Sequence, residues 1–360
     1  MKKIGITTII GDNYGSVLQN YALQAALKED GAIPHLISVR PRSYLLNFYR
    51  NYFKPEKDRT LKTKLHKLKS DIANRSKRNK VKDFYKKNVN IRGYNNLGSV
   101  PQGETDTGTF ICGSDQIWNP AFQPNSLYYL SFVPDGKEKY SYAASIAVDT
   151  ISEKAQEFFR NALTSFAFIS VREETGRQLL QGVVDQEKLR VDCDPVLLLE
   201  KETWERFVSL RFKGRKFLFL YMLRPSLELL EFARKVAKKK KLELVFIGDY
   251  YFGNKDIKQI TDAGVEDFLS AVYYADYVIT NSFHCTVFST IFEKPFLSQV
   301  ITKTGSRVND YLNKLGLGER ILKDQRVDEL PGDIDYTRAR KIILDIRESS
   351  RAYLNAIINS

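Results

Sequence analysis

The sequence is poor in the residue types that most often carry metal or redox chemistry. Its 360 residues include three histidines, three cysteines, two methionines and two tryptophans. Cys112, Cys193 and Cys285 fall in apolar or strand-like surroundings at wide, irregular spacing. That pattern excludes a disulfide framework and zinc-ligand spacing, and suits reduced, buried thiols. No metal site is expected. No apolar run approaches the ~20 residues needed to cross a bilayer. The opening MKKIGITTIIGDNYG has two lysines, but its apolar stretch breaks at Gly11 and Asp12, short of an export signal. The expected location is the cytoplasm, with peripheral contact at the inner membrane face as a further option. A composition 43% hydrophobic and 12% aromatic excludes a disordered chain.

Acidic residues are scarce in one place. The formal charge is +13, and residues 54–96 hold 15 Lys or Arg against 4 Asp or Glu, a local net of +11. Within this segment Leu61, Leu65, Leu68 and Ile72 share one helical face. Two readings stand: a solvated helical insertion packing a narrow apolar stripe on its parent domain, or a basic amphipathic helix resting on anionic lipid headgroups or an anionic substrate. The segment shows no DNA- or RNA-binding signature, and no nucleic-acid partner is expected.

Strand and helix patterns alternate along the chain. KKIGITTII reads as strand, SVLQNYALQAAL as helix, IPHLISV as strand. After the basic segment come TFICGSD, YSYAASI, a helix over residues 151–163, FAFISVRE and LRVDCDPVLLL. The pattern restarts with KFLFLYML, a helix over 227–241, LELVFIG, the helix VEDFLSAVYYA, DYVITNSF and KPFLSQV. Such alternation indicates mostly parallel sheets covered on both faces. The fold class is therefore α/β, with two Rossmann-like domains facing a cleft in a glycosyltransferase-B-like arrangement. The expected boundaries are 1–198, with the basic helical insertion at about 54–96, then 199–335, then a helix over 336–360 packing back on the first domain.

In open α/β sheets ligands sit at the carboxyl ends of strands, so the strand-to-helix junctions carry the candidates. In GDNYGSVLQN, Gly11 and Gly15 let an anion approach backbone N–H groups at a helix start, and Asn13 adds an amide; the run equally fits a plain tight turn. In CGSDQIWNP, Asp115, Gln116 and Asn119 suit a hydroxyl-rich ligand with Trp118 covering a sugar face, whereas the plainer reading makes Trp118 a packing anchor. In SVREETG, Arg172 ends a strand as a clamp for a carboxylate or phosphate, or pairs with Glu173 or Glu174. Asp194, before Pro195, reads as a structural turn. In TNSFHCTVFSTIF, His284 stands between Ser282 and Thr286 where strand becomes helix, either as an acid/base group or as a core histidine bonded to the backbone. His35 reads as structural and His66 as surface-borne. In SRVNDYLNKLGLGER, Arg307, capped by Ser306, is a further anion ligand.

Taken in order, GDNYGSVLQNYALQ, CGSDQIWNP, SYAASI, SVREETG, DPVLLL, TNSFHCTVFSTIFEKPF and SRVNDYLNKLGL resemble the polysaccharide pyruvyl transferase family over nearly the whole chain. The resemblance implies a transferase that uses phosphoenolpyruvate as donor substrate, without a further cofactor, to place a pyruvyl ketal on a hydroxyl pair of a glycan or a polyprenyl-diphosphate-linked sugar. It implies roles in proton transfer and at the donor phosphate for His284, and in donor binding for Arg172. Asn13, Gly15, Ser282, Thr286, Lys294 and Arg307 complete the expected donor side. Asp115 joins His284 as a catalytic group, and Gln116, Trp118 and Asn119 form the expected acceptor side. The common family run Arg-Leu-His-Gly reads Ser282-Phe283-His284-Cys285 here. The missing arginine removes a phosphate ligand, for which Lys294 or Arg307 are the candidate substitutes, and Cys285 reads as a small apolar filler. Competing readings are a nucleotide-sugar glycosyltransferase and a non-catalytic glycan-binding relative on the same fold.

Overall fold

The computed structural model describes residues 1–39, 61–122, 124–248, 256–301, 306–323 and 327–360, with backbone alone for 61–73, 306 and 329. Residues 54–60, and the side chains of the Leu61–Ile72 stripe, His66 and Ser306, thus lie outside what is described.

The first domain opens with β1 (Lys3–Thr7), α1 (Tyr14–Glu29) and β2 (Ile33–Val39), followed by α2 (Leu61–Asn88) and β3 (Ile91–Tyr94). It continues with β4 (Thr109–Cys112), β5 (Glu138–Ser141), α3 (Glu153–Leu163), β6 (Ile169–Val171), α4 (Glu174–Leu180) and β7 (Leu189–Val191). All its strand pairs are parallel, in the order β3-β2-β1-β4-β5. Bridges Tyr140–Phe168 and Ala144–Val171 carry the pairing on from β5 to β6 and β7. The apolar strands KIGIT and TFIC are buried almost throughout, as strands covered by helices on both faces must be. The basic segment does more than decorate this domain. α2 is the crossover helix into edge strand β3, and its Val81, Phe84 and Tyr85 sit in the core while Lys82, Lys86 and Lys87 face solvent.

The second domain comprises β8 (Phe217–Tyr221), α5 (Leu227–Lys240), β9 (Glu243–Ile247), β10 (Ile257–Ile260), α6 (Val265–Tyr274), β11 (Tyr277–Thr280), α7 (Phe283–Ile291), β12 (Phe296–Gln299), α8 (Ser306–Lys314) and β13 (Ile321–Leu322). Its parallel order is β10-β9-β8-β11-β12-β13. The last helix, α9 (Thr337–Asn359), returns to the first domain. There the Tyr353 hydroxyl donates to the Ser141 carbonyl at 3.0 Å, and Arg351 donates to the Ala26 carbonyl at 2.9 Å. Tyr353, Leu354 and Ile357 are buried there, each contributing about 2 kcal/mol of apolar transfer energy.

The domains also meet directly. Tyr14, in the first turn of α1, stacks on Phe268 of α6 with centroids 5.0 Å apart and donates to the Ala263 carbonyl at 2.7 Å. Lys80 of α2 pairs with Asp267 at 3.1 Å. These contacts fix the start of α1 against the second domain, which is what brings the carboxyl edges of the two sheets face to face.

Candidate active site

Strand order reverses between β1 and β4 in one sheet and between β8 and β11 in the other. Loops leaving such a reversal diverge and leave a crevice at the carboxyl edge. Here the two crevices oppose each other across a cavity of about 230 Å³. Gly11, Asn13 and Ser16 line it after β1, Asp115 and Gln116 after β4, Leu223 after β8, and Ser282 and His284 after β11, with Arg307 reaching in from α8.

Local chemistry sets each of these positions. Asn13 caps α1 by accepting from the Gly15 N–H at 2.9 Å. Ser282 caps α7, accepting from the Cys285 N–H at 3.4 Å, so that His284 falls in the helix's first turn. Asn281 ties the β8 and β11 loops together, accepting from the Leu223 N–H at 2.7 Å and donating to the Arg224 carbonyl at 2.8 Å. Gly15 serves a different purpose from the anion cradle expected of it. A Cβ there would stand 2.2 Å from His284 Nδ1, so glycine is what lets the imidazole lie directly against α1.

His284 is 7% exposed, and its Nε2 stands 3.3 Å from Asp194 Oδ2 without an aligned hydrogen bond. Asp194 is the residue that sequence reasoning passed over as a turn. It does cap the turn after Pro195, accepting from the Val196 N–H at 3.1 Å, but its other oxygen receives Arg172 Nη1 at 2.7 Å. Burial works against ionisation of Asp194. The charges of His284 and Arg172, with the hydrogen bonds from Arg172 and the Val196 N–H, outweigh it and hold the carboxyl well below the usual range. The only sequence signal was position: one carboxylate set directly before the apolar run PVLLL.

Two buried guanidiniums flank the Phe283 ring, Arg172 at 4.5 Å and Arg307 at 5.6 Å from its centroid. Burial, and then the Arg172 charge, lower the pKa of Arg307 to about 10. Nε and Nη2 of Arg172 are buried with no hydrogen-bond partner among the described residues. Beside them burial pushes the Glu173 carboxyl up against the opposing Arg172 charge, and Ser145 Oγ donates to it. Glu173 stands 3.5 Å from Arg172 Nε and Asp194 2.7 Å from its Nη1, so the two guanidiniums and two carboxylates form one buried charged cluster.

The structure divides the expected site residues. His284, Asp115, Asn13, Ser282, Gln116 and Arg307 share the cleft cavity. Arg172 faces an adjoining cavity of about 340 Å³, also bounded by Phe283 and Arg307. The guanidinium that shares the cleft with the imidazole is therefore Arg307. The Gln116 amide touches Arg307 at 2.9 Å.

Four expectations are corrected. Trp118 covers no sugar face: it is fully buried, packs with Tyr129, Phe159 and Phe166, and donates Nε1–H to the Tyr128 carbonyl at 3.1 Å. Asn119 is turned into its own loop, where it accepts from the Ala121 N–H at 2.9 Å. Thr286 is fully buried and bonds Ser298 at 2.8 Å, tying α7 to β12. Lys294 donates to the Tyr273 carbonyl at 2.8 Å beyond the far end of α7, away from the cleft. Cys285 is a filler, fully enclosed, its thiol pushed up to about 12 by burial. His35 is buried against Glu104 at 2.9 Å. Among the described residues no group of three or more His, Cys, Asp or Glu side chains could hold a metal ion.

A family model described as polysaccharide pyruvyl transferase matches residues 13–298. No curated protein matches the chain. Among solved structures it is similar to the UDP co-structure of S. aureus MnaA, with 13% identity, a TM-score of 0.54, and coverage of 99% of this chain and 91% of that one. A putative UDP-N-acetylglucosamine 2-epimerase from Listeria monocytogenes gives 14% identity, a TM-score of 0.54 and the same coverages. UDP-GlcNAc 2-epimerase from Neisseria meningitidis, solved with UDP-GlcNAc, gives 9% identity and a TM-score of 0.50 over 99% and 94%. Likeness at these identities speaks to fold alone, and the fold is glycosyltransferase-B-like.

Proposed function

The chain belongs to the polysaccharide pyruvyl transferase family and is a transferase, and from that premise we propose that it moves the pyruvyl group of phosphoenolpyruvate onto a hydroxyl pair of a lipid-linked surface-polysaccharide precursor. The observation that carries this reading is a cation at the site: Arg307 enters the cleft beside His284, and Asp194 backs the imidazole.

Phosphoenolpyruvate brings a carboxylate and a phosphate, and both need cations where water is excluded. Arg307, on the helix after β12, supplies the charge that Ser282 no longer carries. His284 gives a proton to the methylene carbon of the enol, and positive charge builds at C2. One sugar hydroxyl attacks C2 and passes its proton to Asp115 on the opposite wall. Phosphate leaves with the electron pair of the C2–O bond, and the second hydroxyl closes the ketal. One proton is taken up at carbon and two are released from hydroxyls, the surplus passing to phosphate. Asp194, 3.3 Å from Nε2, orients the imidazole. The exposed lysines of α2 add attraction to anionic headgroups and so hold the enzyme at the inner membrane face, where a lipid-linked acceptor would lie.

Incubating the protein with phosphoenolpyruvate and lipid-linked oligosaccharides should release phosphate and add one pyruvyl mass to the acceptor. Absence of both products, or an unchanged rate in His284→Ala, ends this reading. A second reading draws on the UDP bound in the S. aureus neighbour. Thermal protection by UDP or GDP, with none from phosphoenolpyruvate, would select a nucleotide-sugar transferase instead.

A further inference from the structure

We propose that Phe122 is the specificity-determining residue for the acceptor: its ring is the platform on which the C–H face of a pyranose stacks. This deepens, and rests on, the reading of the cleft as a place where a sugar is modified.

Phe122 lines the same cavity as His284, Asp115, Gln116 and Arg307, and it is 56% exposed. The other aromatic residue of that cavity, Phe283, is buried and held between two guanidiniums. Phe122 pairs with no other ring among the described residues. An isolated exposed phenylalanine is ordinary on a protein surface. At this cavity, beside Asp115, Gln116, His284 and Arg307, the ring keeps apolar surface that a ligand entering the cleft would bury.

Its mount is rigid. The Phe122 N–H donates to the Asn119 carbonyl at 3.1 Å, Asn119 itself accepts from Ala121, and Trp118 anchors the start of the loop in the core. Trp118 thus holds the loop that presents the ring, while the sugar-facing part falls to Phe122.

A pyranose has two chemistries, a rim of hydroxyls and an apolar C–H face, and a site that recognises one needs both kinds of partner. Asp115 and Gln116 offer hydrogen-bonding groups for the rim, and Phe122 offers the face. All three belong to the first-domain wall, whereas His284 and Arg307 belong to the second. A ring resting on Phe122 would therefore lie between the platform and the groups that handle the donor.

The test uses methyl gluco-, galacto- and mannopyranosides as probes, titrated by saturation-transfer NMR against the full chain. Phosphoenolpyruvate is titrated separately by calorimetry. Phe122→Ala should weaken the best pyranoside roughly tenfold, the size of an aromatic contact, and Phe122→Trp should restore it. Saturation in the wild type should be strongest on one C–H face of the sugar. Undiminished pyranoside affinity in Phe122→Ala, or no binding of any probe to the wild type, overturns the proposal. If pyranosides bind through Phe122 while phosphoenolpyruvate does not bind, the platform stands and the donor assignment falls.

Discussion

Replacing Gly15 with alanine tests how closely the first turn of α1 is fitted to the imidazole. The new methyl would stand 2.2 Å from Nδ1, 2.4 Å from Cγ and 2.9 Å from Cβ of His284. Relaxed contacts of this kind need about 3.5 Å, so the whole side chain must withdraw by more than ~1 Å. It has little room to do so. The ring lies edge-on to Phe283 with centroids 5.4 Å apart, 3.3 Å from Asp194, and almost fully buried. Any withdrawal disturbs the contact that orients it, and a displacement near 1 Å at a reacting group costs about 10²-fold in rate. Stability should fall too, because Gly15 is second in its helix and gains little from helix propensity to offset the clash. Turnover normalised to the folded fraction should drop about 10²-fold, measured as phosphate released from phosphoenolpyruvate with a lipid-linked acceptor. Gly93→Ala, on edge strand β3 with open space around the new Cβ, serves as the control. A Gly15→Ala enzyme with wild-type turnover would refute the placement of His284 at the reacting centre.

Further outcomes follow from the same geometry. Asp194→Asn removes the charge shared by Arg172 and His284; it leaves the buried guanidinium with Glu173 alone, 3.5 Å from its Nε, and should cost up to about 3 kcal/mol in urea unfolding, and an unchanged midpoint would contradict the pairing. Lys294→Met should leave phosphoenolpyruvate affinity as it was in a calorimetric titration, because its ammonium serves the Tyr273 carbonyl; a tenfold loss would return it to the cleft. Glu104 carries a pH dependence. Burial raises its pKa, but hydrogen bonds from His35, Thr107 and Tyr94 prevail and lower it from 4.5 to about 2. Its stabilisation is thus fully present above the unfolded value and lost as pH falls toward the folded one. That shift is worth about 3 kcal/mol, and Glu104→Gln should flatten the acid limb of the unfolding free energy.

The elements and the family can be read from residue order alone. Apolar strands such as TFIC and FLFLY are local features, and local features survive in one dimension. Strands β3 and β10 escaped notice because short, half-exposed edge strands carry no continuous apolar run. The basic segment drew attention for its charge, while its part in the sheet rested on Val81, Phe84 and Tyr85, whose burial depends on what α2 packs against. The site was half legible. Asp115 and His284 stood out as polar residues just after strands, and Arg307 as the second residue of a helix; the structure places all three on one cavity. That Asp194, 90 residues before His284, touches it, that Gly15 makes room for the imidazole, and that Trp118 faces inward while Phe122 faces the cleft came only with the folded molecule. The Asp194 and Gly15 contacts are relations between segments far apart along the chain, set by how the two domains meet across Tyr14 and Phe268, and Trp118 is buried by Phe159 and Phe166 of later segments; no spacing within one segment encodes such relations.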